Sequence, residues 1–155
     1  MTNVKLSTHF DLEEICQSSV AIKLGITNLP QKEEYLTSLK YICINILEPV
    51  RARYGAPIKV TSGYRSCSLN AAINGAANSQ HCLGQAVDIM GQSPLDTVLL
   101  YVYLRCTNFD QLILELKGNA TWVHVSCKPN AVYNRHMCLF IKDNKAIDTR
   151  YIKYY

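Results

Sequence analysis

The sequence predicts one α+β domain over residues 1–155, with a small antiparallel sheet and helices packed on one side of it. The chain has 155 residues, which is long enough to bury a sizeable core. Helical and strand patterns follow one another without an internal repeat, a low-complexity segment or a linker. The predicted strands are short, and two of them are joined by a dipeptide that suits a hairpin. This order of elements is typical of an α+β fold.

Four helices are predicted. Ser7 or Thr8 can cap a short first helix, because acidic residues follow where the helix dipole favours them. From Lys32 to Tyr54 the apolar residues recur at steps of three and four, which predicts the main core helix, with a kink near Pro49. Gly55 ends this helix. The other two helices are predicted over residues 66–73 and about 93–106.

Five strands are predicted from alternating apolar and polar residues and from the turns between them. Gly118 and Asn119 suit a two-residue hairpin turn, and Asp143 with Asn144 suits a later turn. The tyrosines of residues 150–155 are expected to serve packing. The strands are predicted over residues 58–62, 85–90, 110–116, 121–127 and 136–142.

Composition excludes several classes of protein. The net charge of +4 comes from scattered rather than clustered basic residues, so no nucleic-acid partner is expected. No apolar run approaches the ~20 residues of a membrane span, and the first residues do not resemble a secretory signal. We therefore expect a soluble monomer made in the cytoplasm. The seven cysteines include no C-x-x-C pair and are expected to be reduced.

Three separated residues offer the ligand set of a hydrolytic zinc site. Such a site takes three protein ligands from His, Asp, Glu or Cys and leaves one position for water. His81, Asp88 and His124 supply that set. Gly84 lets the backbone turn after His81, and alternation along the strand puts His124 on the opposite face from Val123. Cys82 is not expected to be a ligand, and His9 and His136 are expected to be structural.

The same residues carry a resemblance to a known family. The pattern S-x-H-x-x-G-x-A-x-D occupies residues 79–88, and W-x-H occupies residues 122–124. With V-T-S-G-Y-R-S at 60–66 and N-G-A-A-N-S-Q-H at 74–81, the chain resembles the zinc D-Ala-D-Ala metallopeptidases from about Leu6 to Ser126. This family includes DD-carboxypeptidases, VanX-type dipeptidases and phage L-Ala-D-Glu endopeptidases. The upstream motifs look like the phage and small bacterial branch.

The resemblance implies a DD-peptidase-like fold, which the hedgehog signalling domain shares, and a peptidase that cuts bacterial peptidoglycan stem peptides. It implies that His81, Asp88 and His124 bind Zn²⁺. It also implies that Arg65 contacts the substrate. A guanidinium suits a substrate carboxylate because its donors form a planar fork that both oxygens can meet. Ser79 and Gln80 are further candidate contacts to the peptide.

The general base departs from the best-known family pattern, in which a Glu lies three residues before the last His. Thr121 occupies that position here, and Glu115 is the preferred candidate, with Asp110 as the fallback. A two-residue turn would place Glu115 on the face of His124. Glu115 would then take a proton from the attacking water and return it to the leaving amine. The predicted register pairs Lys117 with Ala120, Glu115 with Trp122, and Ile113 with His124.

The choice between carboxypeptidase, dipeptidase and endopeptidase activity stays open at this level. A phage-type lysis enzyme, which reaches the wall through a membrane lesion made by another protein, fits the chain, as does a cytoplasmic dipeptidase. The alternative from another class is a zinc-containing binding module without peptidase activity, as in the hedgehog signalling domain. The candidate base and Arg65 favour the enzyme.

Overall fold

The computed structural model describes residues 4–148 of the chain, so the tyrosines of residues 150–155 lie outside the described residues. Short turns of other helix types occur at Cys43–Leu47 (π-helix) and at Gln80–Leu83 and Ala131–Tyr133 (3-10 helix). The part of the chain from 4 to 148 contains no helix with both the length and the apolar character that crossing a bilayer requires. The α-helices are α1 (Leu12–Cys16), α2 (Ser19–Leu24), α3 (Glu33–Ile42), α4 (Glu48–Tyr54), α5 (Cys67–Ala72) and α6 (Pro94–Leu104).

The strands form one six-stranded sheet in the order β1-β2-β4-β3-β5-β6. The predicted α+β class is confirmed, but the sheet is mixed rather than wholly antiparallel, because β3 and β5 run parallel. Strand β4 has β2 on one edge and β3 on the other, and β5 joins the edge of β3 that β4 leaves free. The strands are β1 (Lys59–Ser62), β2 (Ala86–Met90), β3 (Gln111–Lys117), β4 (Ala120–Ser126), β5 (Met137–Lys142) and β6 (Lys145–Asp148).

The helices cover one face of the sheet and leave the other face for polar side chains. Helix α6 contacts β2, β3 and β4, and α4 packs on α6. The buried face of the sheet includes Val87, Val123 and Val125, which join side chains of α3, α4 and α6 in the core. Because side chains alternate along a strand, Asp88 and His124 project from the opposite face.

The main core helix runs from Glu33 to Tyr54, close to its predicted bounds, and changes type in its middle. The irregular turn is the π-helical segment Cys43–Leu47, which lies before Pro49 rather than at it. Proline has no N–H to donate to the carbonyl four residues earlier, so a wider turn ahead of it accommodates its ring. Gly55, at φ 76°, ends the helix as predicted.

The first helix begins later than its predicted cap. Asp11 caps α1, with its carboxylate accepting a hydrogen bond from the Glu14 N–H at 2.9 Å. Ser7 is not the cap, because its hydroxyl donates to Glu48 on the core helix at 2.7 Å. Helix α2 and strand β6 were not predicted. Helix α2 is only six residues long, which is too short for a helical period to stand out in the sequence.

Candidate functional site

His81 is held in one orientation by the backbone. It lies in the 3-10 turn Gln80–Leu83, which ends at Gly84 with φ 67°. The Nδ1 atom of His81 lies 2.7 Å from the carbonyl oxygen of Gly63, an acceptor, so Nδ1 carries the proton and donates it. In the neutral ring, Nε2 then keeps a lone pair for a metal. The imidazole is almost completely buried.

Asp88 and His124 are neighbours across two paired strands. Strand β2 runs antiparallel to β4, and the register sets Asp88 directly opposite His124. The Oδ1 atom of Asp88 lies 2.9 Å from Nδ1 of His124 and 3.3 Å from Nε2 of His81. The two histidine nitrogens, Nε2 of His81 and Nδ1 of His124, are 3.2 Å apart. The structure therefore brings together three residues that are far apart in the sequence.

The spacing of these three atoms fits a small divalent cation. Two ligand atoms bound to a tetrahedral zinc at about 2.0–2.1 Å lie about 3.3 Å from each other. The separations of 2.9, 3.2 and 3.3 Å are close to that value. Among residues 4–148, this His-Asp-His set is the group of metal-ligating side chains that converges closely enough to hold an ion. Cys82 is not part of it.

The charge states suit metal binding as well. Burial lowers the pKa of His81, which favours the neutral imidazole that can act as a ligand. Burial alone would raise the pKa of Asp88. The two neighbouring histidines lower this pKa by more than burial raises it, so the net direction is downwards and the carboxylate is ionised. An ionised carboxylate beside the neutral imidazole of His81 offers acceptor atoms to a metal cation.

Arg65 lies beside this group, at the end of the G-Y-R-S segment. Its Nη2 lies 2.7 Å from Oδ2 of Asp88, and its Nε donates to the Ser62 hydroxyl at 2.9 Å. The side chain is 17% exposed and lines the cleft above the site. Arg65 therefore contacts the candidate ligand Asp88 directly, in addition to its predicted place facing substrate.

Glu115 lies where the predicted hairpin register puts it. The pairs Lys117 with Ala120, Glu115 with Trp122 and Ile113 with His124 are all observed, with Gly118 in the turn at φ 56°. Glu115 is half-buried and lines the same cleft as His124. Burial raises its pKa, and the nearby Asp88 carboxylate raises it further, against smaller opposing effects of His124, Trp122 and Arg65. A carboxylate with a raised pKa beside a metal-ligand set is suited to proton transfer.

Asp110, the fallback for the base, and Thr121, at the position where the best-known family pattern has a Glu, have different surroundings. Asp110 is completely buried and does not line the cleft, and both of its carboxylate oxygens bond to Arg135. Burial alone would raise its pKa, but hydrogen bonds from Arg135 and Lys128 lower it to about 2. Thr121 is buried on the face that it shares with Val123, away from His124.

The site opens into a cleft of about 550 Å³. Ser79 and Gln80, predicted as peptide contacts, both line it, and the Nε2 atom of Gln80 is buried with no hydrogen-bond partner among the described residues. A somewhat larger groove of about 640 Å³ runs along α1 and α2, and it includes none of the predicted site residues. The cleft that contains the predicted site residues is therefore the polar one at the open face of the sheet.

Three residues at or near the site were not predicted from the sequence. The buried Asn28 bonds the backbone of Tyr64 and Ser66 at 2.9 and 2.7 Å, and so fixes the segment that carries Arg65. Lys128 and Arg135 add two cations to the cleft wall. None of the three belongs to a local motif, and each has a contact to a residue that is distant in the sequence.

Comparison with known proteins identifies the family. The sequence profile of the peptidase M15 family matches residues 8–126, which include Arg65, His81, Asp88, Glu115 and His124. Among curated proteins, no sequence matches the chain significantly. The matched span covers more than half of the chain and ends close to the limit expected from the sequence motifs. The chain therefore belongs to peptidase family M15, the family of the zinc D-Ala-D-Ala metallopeptidases.

Proposed function

We propose that this protein is a zinc-dependent peptidase that hydrolyses peptide bonds in the stem peptides of bacterial peptidoglycan. The observation that carries the proposal is the convergence of His81, Asp88 and His124 at separations of 2.9 to 3.3 Å on the floor of an open cleft. Membership of the M15 family supports a peptidase at the level of the family. The substrate class follows from that membership.

The three converging side chains would hold the zinc ion. When bound, zinc polarises the scissile carbonyl and makes water a stronger nucleophile near neutral pH. His81 is oriented for this role by its hydrogen bond to the Gly63 carbonyl, and Asp88 by Arg65. Such outer contacts fix the direction of a ligand and so contribute to metal affinity.

Glu115 would act as the proton carrier. Its carboxylate takes a proton from the attacking water as the water oxygen bonds to the carbonyl carbon. It returns that proton to the amine nitrogen as the carbon–nitrogen bond breaks. Glu115 is suited to both steps because its pKa is raised by burial and it lies on the same sheet face as His124.

The remaining polar groups of the cleft would hold the peptide. Arg65 lines the cleft and is the candidate partner for a substrate carboxylate next to the scissile bond. Ser79 offers a hydroxyl, and Gln80 offers an amide whose Nε2 lacks a partner in the described structure. A buried donor without a partner costs free energy, and a hydrogen bond to a substrate carbonyl would recover it.

We further propose that the enzyme serves cell-wall lysis of the phage type, since its upstream motifs resemble that branch of the family. Expression in the bacterial cytoplasm should then leave cells intact until the inner membrane is permeabilised, after which turbidity should fall. Lysis that depends on permeabilisation in the active protein, and is missing in Glu115→Gln, would agree with this role. Cells that stay turbid after permeabilisation would contradict it.

The activity is tested with purified peptidoglycan and purified zinc-loaded protein. Mass spectrometry of the products identifies the bond that is cut. Release of D-Ala, release of a dipeptide and cleavage that leaves a peptide with D-Glu at its N terminus give products of different mass. Chelator-treated protein and the Asp88→Ala variant serve as controls. Zinc binding without any released product would contradict the peptidase and favour a zinc-containing binding module.

A further inference from the structure

Two basic side chains stand on the wall of the cleft and belong to a built group. Lys128 and Arg135 both line the cleft, and both bond to the buried carboxylate of Asp110. We refer to Asp110, Lys128 and Arg135 as the Asp110 cluster. Lys128 and Arg135 lie beyond residue 126, outside the span matched by the family profile, so the family pattern assigns them no role.

Asp110 anchors the cluster, because its side chain is 0% exposed and accepts several hydrogen bonds. Arg135 binds it through Nη2 at 2.6 Å and Nε at 3.0 and 3.1 Å, and the Arg135 backbone N–H donates to the same carboxylate at 3.0 Å. Lys128 lies 3.2 Å from Oδ1 of Asp110 and 2.9 Å from the Tyr133 carbonyl oxygen. The two cations are therefore fixed rather than free to sweep through solvent.

The loop that carries both cations is also tied down. The side chain of Asn134 accepts a hydrogen bond from the Lys128 N–H at 2.9 Å and donates to the Asn108 carbonyl at 2.8 Å. Asn108 directly precedes the segment that carries Asp110. These hydrogen bonds fix the loop from β4 to β5, and with it the positions of Lys128 and Arg135 on the cleft wall.

The cluster has a net positive charge, because Asp110 neutralises one of its two cations. One carboxylate faces two cations, which leaves an excess of one positive charge. The side chains of Arg135 and Lys128 are 46% and 32% exposed, so both can still meet a ligand in the cleft. The bonds to Asp110 use the Nε and Nη2 atoms of Arg135, and Nη1 is not part of that pairing.

We propose that Lys128 and Arg135 bind a free carboxylate of the substrate peptide at a distance from the scissile bond, and so select acidic stem peptides. This inference rests on the proposed peptidase function. A carboxylate fits because guanidinium and ammonium donors make charge-assisted hydrogen bonds to it. Stem peptides carry free carboxylates at D-Glu and at the C terminus, and amidation removes the charge of either one.

The test compares three synthetic stem peptides: the free acid, the same peptide amidated at D-Glu, and the same peptide amidated at the C terminus. With the native enzyme, one of the two amides should raise KM about tenfold, as expected for a lost charge-assisted bond. With Arg135→Gln, the free acid itself should show the raised KM, kcat should stay unchanged, and the difference between acid and amide should disappear. The amide that matters identifies the carboxylate bound.

Two further variants guard against loss of folding, because Arg135→Gln removes a partner of a buried charge. Arg135→Lys keeps a cation for Asp110 but loses the planar fork, and Lys128→Gln leaves the arginine pairing intact. Both should reduce the acid-to-amide discrimination, and thermal melting verifies that each is folded. The matched control is Arg53→Gln, since Arg53 lies on α4 and stacks on Tyr103, away from the cleft. This control should discriminate as the native enzyme does.

The outcomes separate this inference from the proposed function. Hydrolysis by the native enzyme with equal KM for all three peptides would overturn the carboxylate site and leave the peptidase standing. Discrimination that survives in folded Arg135→Lys and Lys128→Gln would overturn it as well. No hydrolysis of any peptide would overturn both.

Discussion

Arg65 and Asp88 form a side-chain ion pair, with Nη2 of Arg65 2.7 Å from Oδ2 of Asp88, while Oδ1 of the same carboxylate faces the two histidines. One oxygen of Asp88 is thus used by the arginine and the other is turned towards the candidate metal position. Arg65 therefore links the candidate metal site to the wall of the cleft. A change at Arg65 is expected to affect both metal affinity and substrate binding.

Replacing Arg65 with Gln should lower zinc affinity as well as raise KM. The outer partners of metal ligands are worth about 10- to 100-fold in affinity, because they fix the orientation of the ligand. Zinc dissociation constants from chelator competition measure the first effect and steady-state kinetics the second. Arg53→Gln is the control. A raised KM with native zinc affinity would mean that Arg65 acts on substrate alone.

Replacing Glu115 with Gln should leave zinc bound and abolish most of the turnover. A general base typically contributes about 10²- to 10⁴-fold, and the amide has a similar shape but cannot take up a proton. Metal content by elemental analysis and kcat on a synthetic stem peptide measure the two quantities. The comparison variant is Asp110→Asn, which should lose far less turnover if it is folded. Native kcat in Glu115→Gln would exclude Glu115 as the base.

Zinc should stabilise the native protein and have no such effect on Asp88→Ala. A ligand that binds only the folded state adds about 2.7 kcal/mol to the free energy of unfolding when its concentration is 100 times its dissociation constant. Thermal unfolding of chelator-treated protein, with and without added zinc, measures the shift. An equal shift in Asp88→Ala would place the zinc elsewhere in the protein.

The hairpin at the candidate site was easier to predict from the sequence than the order of the strands in the sheet. The hairpin register was predictable because Gly118 and Asn119 restrict the turn, and a turn of known length fixes every pair of the two strands. Strand β5, in contrast, pairs parallel to β3 rather than with the free edge of β1, and this choice depends on long-range packing. No local pattern contains that information.

The positions of Asn28, Lys128 and Arg135 could not be predicted from the sequence for a related reason. Each depends on a contact to a residue that is distant in the sequence, such as that of Arg135 to Asp110. Asp110 illustrates the effect: it was the fallback for the base, yet the pairing with Arg135 occupies both carboxylate oxygens. Local periodicity identifies elements and faces, but not which charge meets which partner.

Asp110 should make stability depend on pH in acid. Its pKa is lowered from an ordinary value of 3.8 to about 2, so the folded protein holds the ionised form more tightly than the unfolded chain does. The stabilisation is fully present above about pH 4 and is lost as the pH falls through about 2, and it amounts to roughly 2 kcal/mol. Urea unfolding of chelator-treated protein across this range measures it.

Asp110→Asn isolates that contribution. The variant should be much less stable than the native protein near neutral pH, and the difference should shrink as the pH approaches 2, where the native Asp110 is itself becoming protonated. The exposed Glu33→Gln variant is the control and should track the native curve. A difference between native protein and Asp110→Asn that stays constant with pH would mean that the effect arises from packing rather than from charge.

The backbone turn after His81 can be tested by comparing two glycines. Gly84 and Gly25 have nearly equal positive φ values, 67° and 65°, but a Cβ at Gly84 would collide with the Tyr35 carbonyl oxygen, whereas Gly25 has open space. Gly25→Ala should cost about 1–2 kcal/mol for the left-handed conformation alone. Gly84→Ala should cost more, and it should also weaken zinc binding because the turn that carries His81 must shift. Equal losses of stability in urea, with native zinc affinity in Gly84→Ala, would show that this turn does not position the histidine.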